Sequence, residues 1–225
     1  MSSANTPSKV TKRGDKPTRR AFDRDQALAA ALREFWTHGY DTTSIASLTE
    51  AMGIRPPSLY AAFGDKRQLF EEAVELYAHT YGTAPPHGSD GRSAIAAMLQ
   101  HLAADYTDPS HPPGCLIISA ATNCGPGSQD IKAKLRAMRE EAKAAIASCI
   151  RVDIDAGRLP AATDADGLAA FYAAVIQGMN QQACDGVDRK TLQRIADAAM
   201  AAWPAAPPPA TTSATDRRAG RPSQP

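Results

Sequence analysis

Residues 39–70 constrain this chain more than any other stretch. They run from Gly39-Tyr40-Asp41 through Thr42-Thr43-Ser44-Ile45 and Met52-Gly53-Ile54-Arg55-Pro56-Pro57 to Phe63-Gly64-Asp65-Lys66 and Leu69-Phe70. Gly39, Gly53 and Gly64 punctuate short segments of helical periodicity, and a glycine both ends a helix and frees the backbone for a tight turn. The reading is a helix that stops at Gly39 and a second over about 44–52, capped by Thr42 or Thr43, with Ile45, Leu48 and Met52 inward. Gly53 makes a turn, and a third helix covers about 56–63. Pro56 and Pro57 suit its first turn, where backbone N–H groups have no helical partner. Asp65 is the expected N-cap of a fourth helix, with Leu69, Phe70, Val74 and Tyr77 inward.

The rest of the chain carries the same period. A first helix over about 23–38 turns Phe22, Ala27, Leu28, Ala31, Leu32, Phe35 and Trp36 to one side. Further helices are expected over about 92–106, 115–123, 128–156, 164–184 and 189–203, with proline and glycine breaks between them. Alanine is abundant, and it favours helix because it loses no side-chain entropy there. The fold class is therefore all-α with about nine helices. It divides into a basic arm at 1–20, a three-helix domain at 21–75, a larger helical domain at 76–204 and a Pro/Ala/Thr-rich tail at 205–225. Arm and tail have the composition of disordered segments.

The net charge of +1 hides an uneven distribution. Lys9, Lys12, Arg13, Lys16, Arg19 and Arg20 stand in the arm against Asp15 alone, and Arg217, Arg218 and Arg221 in the tail against Asp216. The body between them is net acidic. A basic arm on such a body suggests a local polyanion contact. No apolar run approaches the roughly 20 residues of a membrane span, and no signal core opens the chain, so a soluble cytoplasmic protein is expected. Cys115, Cys124, Cys149 and Cys184 lack close C-x-x-C spacing, so neither a zinc site nor a disulfide framework is expected. No other metal, cofactor or catalytic constellation is called for.

Two helices joined by a glycine turn, the second short and exposed, form a unit that can enter a DNA major groove. Arg55, at the mouth of the third helix, suits guanine O6 and N7 or a phosphate. Pro57, Ser58 and Tyr60 project from the same helix, and hydroxyls suit phosphate or base contacts. Thr43 stands where a helix start can hold a phosphate oxygen, and Lys66 where it can hold one across the groove. The segment from Thr42-Thr43-Ser44-Ile45 through Met52-Gly53-Ile54 to Ser58-Leu59-Tyr60, Phe63-Gly64-Asp65-Lys66 and Leu69 resembles the N-terminal domain of the tetracycline-repressor family, over about residues 22–74. That resemblance implies DNA-backbone roles for Thr43, Tyr60 and Lys66. Two positions depart from the family pattern. Pro56-Pro57 removes two backbone donors, and Ala62 replaces a residue that often touches phosphate. Residues 21–69 are not basic, so the arm at 12–20 is expected to supply counterion release and to reach the minor groove.

The resemblance further implies that residues 82–204 bind a small-molecule effector, and that the helices at 164–184 and 189–203 pair with their copies in a homodimer. The double-stranded operator would then be palindromic. Candidate pocket residues are His101, Tyr106, Cys115, Ile118, Asn123, Phe171, Tyr172 and Met179. Cys115, at a helix start, is also a candidate thiol sensor, since such a position lowers a thiol pKa. Two other readings remain: a helical interaction protein that has lost DNA binding, and an enzyme using Cys115 with His101 or His111. The second lacks an orienting third residue and an oxyanion hole.

Overall fold

The computed structural model describes residues 23–82, 84–85, 90–122 and 124–205. The arm at 1–20, Phe22, Asn123 and the tail beyond residue 205 lie outside the described residues. Among the described residues the structure is helical throughout: α1 Arg24–His38, α2 Ile45–Ala51, α3 Pro56–Phe63, α4 Lys66–Tyr81, α5 Gly91–Asp105, α6 Leu116–Thr122, α7 Gln129–Asp155, α8 Ala165–Cys184 and α9 Arg189–Met200. A 3-10 turn at Pro126–Ser128 leads into α7.

Most of these helices start at an aspartate. The carboxylates of Asp23, Asp65, Asp90, Asp164 and Asp188 each accept first-turn backbone N–H groups. Such caps satisfy orphan donors and place negative charge at the positive end of the helix dipole, each contributing roughly 1 kcal/mol. At α2 the cap is Ser44, not Thr42 or Thr43. Its hydroxyl accepts from Ser47 N at 3.0 Å, and Ser47 Oγ accepts from Ser44 N at 3.1 Å, a reciprocal capping box. The two threonines instead serve the end of α1. Thr42 donates to the carbonyl of His38, and Thr43 donates to that of Gly39 at 2.6 Å.

The first four helices close around Phe35, Trp36, Leu48, Leu59, Leu69 and Phe70, all essentially buried. Phe35 meets Phe70 edge-on at 5.0 Å, and Trp36 meets Tyr77 edge-on at 4.8 Å. In the larger domain α5 packs on α7 and α9, and α8 on α7 and α9. Asp153 of α7 is 1% exposed, yet it accepts from Gly91 N at 2.8 Å, Arg92 N at 3.2 Å and Arg158 Nε at 2.8 Å, which pins the start of α5. The last helix stops at Met200, short of the expected 203, and Trp203 folds back toward the Tyr172 ring.

Short α6 joins the two halves. It packs on α1 and α4 of the first domain and on α7 and α8 of the second. Its start is held by Asn180 of α8, whose Oδ1 accepts from Cys115 N at 2.6 Å.

Candidate nucleic-acid interface

The reading unit follows from two positive-φ glycines. Gly53, at φ 66°, turns the chain between α2 and α3, and Gly64, at φ 78°, turns it again before α4. Between them α3 buries Leu59 and Phe63 and leaves Pro56, Pro57, Ser58, Tyr60 and Ala61 outside. Pro57, Tyr60 and Ala61 fall at i, i+3 and i+4, so they form one outward stripe. Tyr60 is half exposed, unusual for so large a side chain, because the core face of α3 is already filled by Leu59 and Phe63. Arg55 is the exposed N-cap residue of α3, in extended conformation, and its side chain makes no cap bond. No acidic residue lies on α3 to repel a phosphate.

Beside this stripe, Lys66 opens α4. Its ammonium lies 4.5 Å from the Tyr40 ring centroid and 3.4 Å from the Asp41 carbonyl oxygen. Partial burial pushes its pKa down, and the Asp41 charge opposes that. Asp41 itself is turned away, toward the second domain. Its carboxylate accepts from the Gly125 N–H and the Ser128 hydroxyl, and these bonds, with Lys66 nearby, hold its pKa below the ordinary carboxylate value. One expected site residue is placed differently. Thr43 is 2% exposed and its hydroxyl is spent on Gly39, so its side chain is not on the outward face; Thr42 and Ser44 are. Of the six residues expected at the interface, Arg55, Pro57, Ser58 and Tyr60 come together on or beside α3, Lys66 flanks them, and Thr43 lies beneath.

The second domain encloses a cavity of about 190 Å³ against the first. Tyr77 and Tyr81 reach it from α4, Met98 and Leu102 from α5, Ile117 and Ile118 from α6, Met138, Arg139 and Ile146 from α7, and Ile176 from α8. Of the expected pocket residues, Tyr106, Cys115 and Ile118 line it. The others do not. His101 is exposed, Phe171 is 40% exposed at a separate shallow surface, and Met179 is fully buried. Tyr172 is also fully buried, packed near Trp203 and Phe171, and burial raises its phenol pKa to about 12. Asn123 lies outside the described residues.

The expectation of a lowered Cys115 pKa is reversed. The thiol is buried and burial pushes its pKa up, against opposing hydrogen bonds from Tyr77 and Tyr106 among others. Asn180, not a thiolate, answers the backbone at that helix start. Of the two histidines weighed as its base, His101 is exposed, and His111 stacks on Trp36 at 4.7 Å and lies 3.5 Å from Asp105. The Tyr77–Tyr81 pair, four residues apart on α4, had a legible signal in its spacing, but aromatic residues at that spacing are equally core formers. The Asp41 link to Gly125 and Ser128 had none.

A glycine-turned helix pair with an exposed, carboxylate-free second helix defines a helix-turn-helix DNA-binding protein with a cavity-bearing helical partner domain. Sequence comparison agrees in both halves. The profile of bacterial regulatory proteins, tetR family, matches residues 27–73, and that of the tetracyclin repressor-like C-terminal domain matches residues 91–199. The HTH-type transcriptional repressor ComR of Escherichia coli (strain K12) is 32% identical over 192 residues, covering 82% of this chain and 90% of ComR. A cysteine-substituted TetR family transcriptional regulator CifR, solved with 26-base-pair double-strand operator DNA, superposes with a TM-score of 0.78 at 41% identity, covering 82% of this chain and 98% of that one. A putative TetR transcriptional regulator from Rhodococcus sp. RHA1 matches at TM-score 0.54 and 32% identity, over 81% of this chain and all of that one. The chain belongs to the TetR family of transcriptional regulators, a family of DNA-binding regulators and not of enzymes. Among the described residues no helix is long and apolar enough to cross a membrane.

Proposed function

We propose that this chain is a homodimeric repressor that binds a palindromic operator and is released from it by a small molecule in the cavity. The observation that carries the reading is the α3 surface, where Arg55, Ser58 and Tyr60 stand exposed with no acidic neighbour on the helix and Lys66 beside them. Arg55 reads a base edge, with Pro57 and Ser58 packed into the groove beside it. Tyr60 and Lys66 hold the phosphate backbone. Thr43 acts from below, fixing the end of α1 and thereby the height of α2. ComR is a repressor by name and CifR was solved on operator DNA, which supports repression and operator binding here.

The dimer forms through α8 and α9. The outward side of α8 carries exposed Ala170, Phe171, Ala174 and Gly178, small residues around one aromatic, which suits close helix approach; Ala169 faces the core instead and Ala173 the cavity. Two-fold symmetry sets the two readers about one DNA turn apart, roughly 34–36 Å. Ligand release works through a difference in DNA affinity between two states of this dimer. The protein acts in the cytoplasm on the nucleoid and does no chemistry of its own. Buried Cys115, its pKa raised, supports a packing role over thiol sensing.

The test is a salt titration of a fluorescent random-sequence duplex. Phosphate binding requires affinity that falls linearly on logarithmic axes as salt rises. Affinity indifferent to salt, or no binding at low salt, would return the chain to a helical interaction protein.

A further inference from the structure

The cavity wall is unlike the rest of the body in charge. Residues 21–204 are net acidic, yet among the described residues the cavity is lined by two cations, Arg139 and Lys143, and by no Asp or Glu. The two cations differ. Lys143 is paired with Glu140, one turn away on α7. Arg139 is half-buried, donates one N–H to the Ile117 carbonyl of α6 at 2.9 Å, and forms no ion pair among the described residues. Glu140 feels its field, but the contact partner of Glu140 is Lys143. A half-buried guanidinium that lacks a counter-ion has lost hydration without replacing it, and an incoming anion restores that loss. Among the described residues its other four N–H groups have no hydrogen-bond acceptor, enough for the two-pronged bond that a carboxylate accepts. Most of the remaining wall is apolar, with Met98, Leu102, Ile118, Met138, Ile146 and Ile176, and its uncharged polar groups are Gln177, the Cys115 thiol and the Tyr77, Tyr81 and Tyr106 phenols.

From this we infer that the cavity takes a small organic acid, its aryl or branched-alkyl body among the methionines and isoleucines and its carboxylate on Arg139. The inference rests on the effector reading of the cavity proposed above, and it names the chemical class. Amines of the same skeleton meet two like charges and no acceptor anion. Neutral amides keep the apolar packing but forgo the ionic bond. Because the guanidinium also ties α7 to α6, a carboxylate that draws it inward competes with the Ile117 carbonyl for the Arg139 donors, at the helix that touches both domains.

The experiment is calorimetric titration of the full-length protein with matched sets of aryl and branched-alkyl carboxylates, their primary amides and their amines. At least one carboxylate should bind, its amide about tenfold more weakly, as expected when a charge-assisted hydrogen bond is removed, and its amine not at all. Arg139→Gln should bring the carboxylate down to the level of the amide while leaving amide binding in place, which also reports an intact cavity. Arg139→Lys should keep the acid ahead of the amide. The inference is overturned if no carboxylate binds, if an amide or amine binds as tightly as its acid, or if either variant leaves the acid-to-amide ratio where Arg139 alone could not have set it: unchanged in Arg139→Gln, or at one in Arg139→Lys. The same probes added to protein–DNA complex separate the two claims. An acid that binds through Arg139 without changing DNA affinity retains the anion site and removes the effector role. An amine or amide that binds and releases DNA retains the effector role and overturns the anion site.

Discussion

The hydroxyl of Ser128 donates to the carboxylate of Asp41, across 87 residues of chain and across the junction of the two domains. The Gly125 N–H joins it on the same carboxylate. Asp41 stands in the loop that leads into α2, and its backbone carbonyl accepts from the Lys66 ammonium. One residue thus ties the corner between α6 and α7 to the start of the DNA reader and to its flanking cation.

Asp41→Asn should therefore weaken the junction, by under about 1 kcal/mol because the carboxylate is exposed to water. The sign with pH is set by the lowered pKa of Asp41 in the folded state. A carboxylate of that kind stabilises the fold above its unfolded value, 3.8, and the contribution is lost as pH falls through the folded value. Melting temperatures of wild type and Asp41→Asn should differ at neutral pH and converge below that window. A gap that persists or widens in acid would mean the hydrogen bonds, not the charge, carry the tie.

Tyr60→Phe and Lys66→Ala should lower affinity for every DNA sequence alike, since phosphate contacts carry no base information. Arg55→Ala should cost about 1–3 kcal/mol on the preferred site and relax preference at one base pair. Competition binding with single-base operator variants reads both. Uniform weakening by Arg55→Ala would move that side chain from base to backbone.

Asn180 is 4% exposed and supplies the acceptor for Cys115 N. Asn180→Ala leaves that buried N–H unanswered, at a cost of roughly 1–3 kcal/mol. Gly114→Ala should be at least as harmful, because Gly114 is at φ 76° and an added Cβ would lie 2.5 Å from Asn180 Oδ1. Chemical denaturation measures both. Neutral effects would show that α6 is placed by its apolar face alone.

Deleting residues 1–20 removes six cations and one anion. The slope of log affinity against log salt should become shallower, by about 0.9 for each phosphate that the arm no longer neutralises. An unchanged slope would take the arm out of the interface.

The reader was legible because its physics is local. Glycines at 53 and 64, prolines in the first turn of α3 and the Leu59–Phe63 spacing each state their structure within a few residues. Thr43 departs from its expected place because two hydroxyls beside a helix start can serve either the next helix or the last one. The carbonyls at the end of α1 took both threonines, and Ser44 with Ser47 closed α2. The cavity was half legible. Cys115 and Ile118 follow from the position of α6, but Tyr77, Tyr81 and Arg139 depend on how α4 and α7 face each other across it, which periodicity cannot give. Tyr172 and Met179 had the same spacing as pocket residues and went to the buried core instead. The Asp41–Ser128 link joins polar residues far apart in sequence and had no local signal at all.

In the proposed dimer, two copies of α3 read one palindrome. The direct measurement is selection of bound fragments from random duplex DNA at low salt, followed by sequencing. An enriched inverted repeat is expected, with half-site centres about one helical turn apart, roughly 34–36 Å, and its loss in Arg55→Ala. Absence of enrichment, or enrichment of single half-sites without symmetry, would contradict it.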